Sequence, residues 1–138
     1  MDLPRLHASK LIQRLGSNDP FELCKAKNIT VVYEDLGNIY GYFYKANRIS
    51  SIHINNRLNE FLARFTCGHE LGHNELHPKM NLPFLRQSTL FSISRYEREA
   101  NHFAVHLLIG ENMPFSDETI KHFLLRCGIP QEFHCFYT

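Results

Sequence analysis

The chain has 138 residues, 43% of them hydrophobic, and its 15 basic and 14 acidic residues give a formal net charge of +1. This length and apolar content predict a single domain spanning residues 1–138 and exclude a largely disordered chain. The balanced charge excludes a dense cationic surface, so we expect no direct contact with nucleic acid.

Two further features bear on where the protein works. No apolar stretch has the length of a signal peptide or a membrane span, so we expect a cytoplasmic protein without a membrane partner. The four cysteines show no CxxC spacing, which indicates thiols rather than a zinc ribbon or a redox dithiol.

The N-terminal third predicts two helices and then a sheet. An amphipathic pattern over residues 3–15 ends at a run of turn residues, and Asp19 with Pro20 forms a typical start for a helix over 20–27. Three segments rich in β-branched and aromatic residues follow, at 28–33, 39–44 and 48–54. They predict a small three-stranded antiparallel sheet, with 48–54 as the edge strand to which a substrate segment could add.

The rest of the chain has a helical period. Helices are predicted at 57–76, 93–109 and 117–127, with a surface loop over 78–92 and a final turn or short helix at 130–137. The predicted fold is therefore α+β and zincin-like, with the sheet packed on the helix at 57–76 and on the further helices.

The helix at 57–76 contains the pattern HExxH, formed by His69, Glu70 and His73. Histidines four residues apart project from one face of a helix and can bind one zinc ion, while Glu70 is rotated away and can act as general base. Chance alone would produce about 0.04 such patterns in a chain of this composition. Apolar residues share the stripe of the two histidines, so we expect the metal site on the buried side of the helix.

A catalytic zinc ion needs a third protein ligand. His77 lies two turns beyond His69, about 12 Å along the axis, and is interpreted as a helix-end histidine. In the helix at 93–109, Glu97 and Asn101 fall on the apolar face, whereas Glu99 falls on the opposite face. A carboxylate on a buried face needs a charged partner, so Glu97 is the predicted third ligand, with Asn101 placed to bond a ligand side chain.

A second histidine pair, His102 and His106, has the same spacing and lies near Glu99. We interpret this pair as part of a solvated face, and a second metal site as the alternative. For stabilising the oxyanion of a hydrolytic reaction, the candidates are Tyr96, His53 and the tyrosines of the second strand.

These motifs resemble those of the ImmA/IrrE family of metallopeptidases. The family pattern RF..AHELGH..LH matches RFTCGHELGH and LHP at 64–73 and 76–78, and the pattern E.EAN.FA..LLMP matches EREANHFA and LL at 97–104 and 107–108. Gly68 replaces the usual alanine, and Ile109-Gly110 replace the usual Met-Pro, although neither change touches a predicted ligand.

The resemblance implies that His69, His73 and Glu97 bind zinc and that Glu70 is the catalytic glutamate. It implies a site-specific endopeptidase of the short type found in mobile elements, which cleaves a helix-turn-helix repressor of a phage or integrative element. Two alternatives stay open. One is a non-catalytic, metal-containing binding protein, and the other is a toxin-antitoxin-type partner that acts by occlusion.

Overall fold

The computed structural model describes residues 2–80, 84–85 and 94–137. Its elements, in chain order, are α1 (Leu3–Leu15), α2 (Pro20–Ala26), β1 (Ile29–Glu34), β2 (Ile39–Ala46), β3 (Ile49–Asn55), α3 (Glu60–Leu76), β4 (Phe84–Leu85), α4 (Arg95–Ile109), α5 (Ile120–Arg126) and a C-terminal 3-10 helix (Gln131–Phe136). Each predicted helix and strand is present, and the α+β class is confirmed. Within the described ranges, no helix combines the length and the apolar character needed to cross a bilayer.

The sheet is mixed rather than antiparallel, and its strand order is β1-β3-β2-β4. Strands β2 and β3 form an antiparallel hairpin through Asn47 and Arg48, whose φ angles of 50° and 70° suit a two-residue turn. Strand β1 pairs with β3 in parallel instead of pairing with its sequence neighbour β2. The loop between β1 and β2 therefore passes the end of β3, where the Asn55 amide donates to the carbonyl oxygens of Gly37 and Ile39.

This order corrects the prediction that 48–54 is an edge strand. Strand β3 has a partner on each side, so its backbone groups are already paired and cannot accept a substrate segment. Among the described strands, the edges of the sheet are β1 and β4. Hydrophobic pattern could not separate these arrangements, because β3 is short and alternates buried and half-buried residues whichever strand lies beside it.

The predicted surface loop over 78–92 lies largely outside the described residues. Within it, Phe84 contradicts the prediction, because it belongs to β4 and its side chain is fully buried. Two residues are too few to show a strand period in the sequence, so no pattern marked this segment as part of the sheet.

Two clusters of buried apolar residues lie around α3 and α4. The first joins α1, α2 and one face of the sheet to these helices, and the second joins them to β4, α5 and the C-terminal 3-10 helix. All four cysteines are free thiols, as predicted, and the buried Cys24 and Cys67 lie with their sulfur atoms 3.6 Å apart. Helices α3 and α4 thus run through the middle of the core, which fixes their positions from both sides.

Glycines allow α3 and α4 to approach closely. A Cβ atom at Gly72 would lie 2.9 Å from Cδ1 and 3.1 Å from Cβ of Phe103, a fully buried residue of α4. A Cβ atom at Gly68, one turn earlier, would meet the Cβ atom of Ala104 at 3.5 Å, an ordinary contact. The two glycines are therefore matched in helix and burial but differ in the space beside them.

We expect opposite results from alanine at these positions. Gly68→Ala should raise the free energy of unfolding by about 0.5–1 kcal/mol, because alanine is the better helix former and the space is present. Gly72→Ala should lower it, because overpacking against Phe103 costs about 1–3 kcal/mol and outweighs the same helical gain. Urea unfolding of both variants tests this, and equal effects of the two changes would show that Gly72 does not set the helix spacing.

Candidate metal centre

Helices α3 and α4 bring three potential ligands to one point. The chain enters these helices at Asn59 and Ser94, whose side chains accept hydrogen bonds from first-turn backbone N–H groups. One ligand atom each from His69, His73 and Glu97 lies within 4.8 Å of the others. No other group of three such residues is close enough to hold an ion in the part of the chain that is described.

The distances between these side chains are short. Nε2 of His73 lies 2.6 Å from Oε1 of Glu97, and Nε2 of His69 lies 3.3 Å from the other carboxylate oxygen. Both histidines are buried in α3, as the apolar stripe predicted, and Glu97 reaches them from the first turn of α4. The Nε2 atoms thus face one carboxylate.

The second ring nitrogen of each histidine is held by its own partner. Nδ1 of His69 lies 2.8 Å from Oδ1 of Asn101, which confirms the predicted position of this buried asparagine. Nδ1 of His73 lies 3.0 Å from Nδ1 of His77. Both rings therefore turn their Nε2 atoms toward the same side.

The electrostatics favour an ionised carboxylate at Glu97 and a neutral ring at His69. Burial acts to raise the pKa of Glu97, but the His69 and His73 rings beside it outweigh burial and lower the pKa to about 2. Burial lowers the pKa of His69, against the effect of the Glu97 charge. A deprotonated carboxylate and neutral imidazoles are the forms that bind metal ions.

Glu70 lies next to this group but outside it. Its side chain is fully buried, and neither carboxylate oxygen has a hydrogen-bond partner among the described residues. Oε2 lies 4.0 Å from Nε2 of His69. Burial, with a contribution from the Glu97 charge, raises the pKa of Glu70 well above its usual range.

Phe84 of β4 covers one side of the group, a position that was not predicted. Its ring stacks on the His69 ring with 3.6 Å between centroids, and the Tyr40 ring meets it edge-on. An aromatic ring at this place keeps His69 in one orientation and excludes water from that face. The contact joins residues far apart in the chain, so no local pattern could indicate it.

The positions of Glu99 and His77 differ from those predicted. Glu99 is absent from the ligand group, as expected, but it is half-buried and its Oε1 lies 2.7 Å from Nε2 of His77. His77 is buried at the end of α3 between His73 and Glu99. It is therefore part of the polar group around the candidate site and not only a histidine at the end of a helix. Its spacing of four residues from His73, the same as between His69 and His73, is the signal that could have revealed this contact.

The face with His102 and His106 is not solvated, which corrects the interpretation from the helical wheel. The side chain of His106 is 8% exposed, with Nε2 4.0 Å from a carboxylate oxygen of Asp2 at the start of α1. The His102 ring meets Phe136 of the 3-10 helix edge-on. Packing of these two elements on α4 covers the face, an effect that a wheel of α4 alone cannot show.

The oxyanion candidates are spread over the molecule. The Tyr96 ring lies edge-on to His77, with 5.0 Å between centroids, and is therefore near the candidate site. His53 stacks on Tyr42 and lies 2.7 Å from Glu34, while Tyr40 bonds Glu132. Tyr96 therefore stays a candidate for this role, as does Tyr40, whose ring contacts Phe84 beside His69.

The chain is similar to a known protein family and to two known proteins. The model of the Peptidase_M78 family, described as the IrrE N-terminal-like domain, matches residues 24–123. The chain is 38% identical over 128 residues to uncharacterized immunity region protein 2 of Bacillus phage phi105, covering 89% of this chain and 81% of the relative. It is 30% identical over 105 residues to metallopeptidase ImmA of Bacillus subtilis (strain 168), covering 75% of this chain.

The coverage of these relatives differs. The match spans 61% of the length of ImmA, so about three fifths of that relative is represented here. No solved structure matches the chain. The family match covers α3 and α4 with both motifs, which confirms the resemblance seen in the sequence, and the chain belongs to the Peptidase_M78 family, the IrrE N-terminal-like domain.

Proposed function

We propose that this chain is a zinc-dependent, site-specific endopeptidase. In this proposal His69, His73 and Glu97 hold the zinc ion, and Glu70 is the catalytic acid-base residue. The observation that carries it is the convergence of three ligand atoms within 4.8 Å from two helices. Beside them lies a buried glutamate whose carboxylate has no hydrogen-bond partner in the part of the chain that the structure describes.

The donor set fits a catalytic zinc ion. Two imidazole nitrogens and one carboxylate form the ligand set of several zinc peptidases, whereas structural zinc sites use four protein ligands and usually cysteine. Among the described residues, the buried Nε2 atom of His69 makes no well-formed hydrogen bond, since its nearest acceptor is the Glu97 carboxylate at 3.3 Å, and an ion between the two would satisfy both. A bound zinc ion would act as a Lewis acid toward the scissile carbonyl and make a nearby water molecule more acidic.

The surroundings of Glu70 suit proton transfer. Its carboxylate follows His69 in the chain but is rotated off the line of the two histidines, so it can face the substrate without taking a ligand position. Because burial raises its pKa, Glu70 can accept a proton from the attacking water and hold it until the leaving amine takes it up. A carboxylate with an ordinary pKa would hold that proton less well.

We propose a helix-turn-helix repressor of a phage or integrative element as the protein substrate, cleaved in the cytoplasm by a single domain spanning residues 1–138. Similarity to an immunity region protein of a phage and to ImmA supports a role in the control of a mobile element. The formal net charge of +1 supports a protein rather than a nucleic acid as the partner.

The ligand assignment predicts the effect of changing Glu97. Glu97→Gln should lower zinc affinity by more than about 100-fold, since loss of a ligand should exceed the roughly 10–100-fold cost of losing an outer-shell contact. Glu34→Gln is the matched control, because Glu34 also lies 2.7 Å from a histidine but outside the site. Zinc titration against a chromophoric chelator measures both, and unchanged affinity of Glu97→Gln would contradict the assignment.

The substrate proposal predicts cleavage of a helix-turn-helix repressor from a phage or integrative element. Mixing the two purified proteins should give two repressor fragments on a gel, and a chelator should abolish cleavage because the ion is removed. A repressor that stays whole in a complex with this protein would instead favour the non-catalytic binding protein. A tight complex that survives chelation would favour occlusion.

The proposed role of Glu70 predicts a variant that binds zinc but does not turn over. Glu70→Gln keeps the shape of the side chain and cannot accept a proton, so the cleavage rate should fall by at least about 10²–10⁴-fold. Zinc content, measured in parallel, should stay at the wild-type level. Cleavage at near the wild-type rate would remove Glu70 from the mechanism.

A further inference from the structure

A chain of hydrogen bonds leads from one proposed ligand to a second carboxylate. It runs from Nδ1 of His73 to Nδ1 of His77, at 3.0 Å, and from Nε2 of His77 to Oε1 of Glu99, at 2.7 Å. The chain lies beyond the ligands, on the side of His73 opposite Glu97. We call these three residues the His73–His77–Glu99 relay.

We infer that Glu99, acting through His77, fixes the proton of His73 on Nδ1 and so reserves Nε2 for the metal ion. In this role His77 and Glu99 are positioning residues. The inference rests on the proposed function, because it assigns their role at the same metal site.

The direction of each bond follows from the chemistry of its ends. An ionised carboxylate only accepts, so the proton between Glu99 and His77 belongs to Nε2 of His77. When Nε2 of His73 holds the ion, the proton of this ring is on Nδ1 and is donated to Nδ1 of His77, which accepts it. The bonds of the relay then all run from His73 toward Glu99.

The bond on the other side of His73 shows which proton the ion would replace. Nε2 of His73 lies 2.6 Å from Oε1 of Glu97, a distance that requires a shared proton in the metal-free protein. Without the relay, His73 could keep its proton on Nε2 and carry its lone pair on Nδ1. With the relay, the ion would displace the proton on Nε2.

Burial makes the relay effective. The side chains of His73 and His77 are 2% and 5% exposed, so water cannot replace a lost hydrogen bond at either ring. The Tyr96 ring packs edge-on against His77, and Arg95 lies 3.9 Å from the second carboxylate oxygen of Glu99. These contacts hold His77 and Glu99 in place from the side of α4.

The two proposed histidine ligands differ in how strictly their tautomers are set. Asn101 faces Nδ1 of His69 with an amide, which has both a donor and an acceptor end. The carboxylate of Glu99 accepts from Nε2 of His77, so it favours the order of protons in which His73 donates from Nδ1. We therefore expect zinc affinity to depend on Glu99 although Glu99 does not touch the ion.

The test compares three variants by zinc titration against a chromophoric chelator. Glu99→Met removes the acceptor and should lower zinc affinity by about 10–100-fold, the usual cost of losing an outer-shell partner. Glu99→Gln can still accept through its amide oxygen and should recover most of the affinity. Glu34→Met, which breaks the similar Glu34–His53 pair on the sheet, should leave zinc affinity unchanged.

Thermal unfolding of the metal-free variants separates positioning from stability. A merely structural role of Glu99 would lower the melting temperature of Glu99→Met without the selective loss of affinity that Glu99→Gln restores. Wild-type affinity in Glu99→Met, or equal losses in Glu99→Met and Glu34→Met, would overturn the relay while leaving the proposed metal site intact. A wild-type protein that binds no zinc would instead overturn the proposed function, and the relay with it.

A second measurement detects the hydrogen bond from Nδ1–H of His73 directly. In the zinc-loaded wild-type protein, proton NMR should show a slowly exchanging signal from Nδ1–H of His73, because that proton is buried and hydrogen-bonded. The signal should move to higher field in Glu99→Met, since His77 is no longer polarised by a carboxylate. An unchanged signal would show that Glu99 has no influence on His73.

Discussion

The contact between α3 and α4 sets the distances within the candidate site. His73 and Glu97 are 24 residues apart in the chain, and His69 and Asn101 are 32 apart, yet each pair is within hydrogen-bonding distance. Gly72 allows the two helices to approach at this point, because a Cβ atom there would lie 2.9 Å from Cδ1 of Phe103. A larger side chain at this point would move the two histidines away from the carboxylate, because all of them belong to the same pair of rigid elements.

The buried polar groups of the site depend on one another. Outside these helices a buried carboxylate such as Glu97 would cost free energy, since burial disfavours the charged form. Beside two imidazoles its charge is favoured. The Nδ1 atoms of these two rings contact Asn101 and His77, and Nε2 of His77 in turn contacts Glu99. Glu70 is the exception, because no described residue forms a hydrogen bond with its carboxylate and its pKa is raised. Unbalanced burial of this kind is typical of groups that act on a substrate rather than support the fold.

Local sequence pattern predicted the side-chain positions that depend on one helix alone. The spacing of His69 and His73 places them on one buried face of α3, and the apolar face of α4 separates Glu97 from Glu99. It did not predict the positions that depend on contact with a second element. The parallel partner of β1, the burial of Phe84 and the covering of His106 by the start of α1 all arise from contacts between distant segments. The His77–Glu99 bond belongs to the same class, because it joins the end of α3 to α4.

Because the proposed ligands lie on two helices, a bound ion would lengthen the lifetime of the folded protein. If the proposed ion is bound, it acts as a cross-link that must break before α3 and α4 can separate. A ligand that binds only the native state adds about 2.7 kcal/mol to its stability at 100 times the dissociation constant. Digestion by an added protease, compared with and without a chelator, would show whether the ion protects the chain in this way. The supply of free zinc would then govern how long each copy survives degradation, and through that its abundance in the cell.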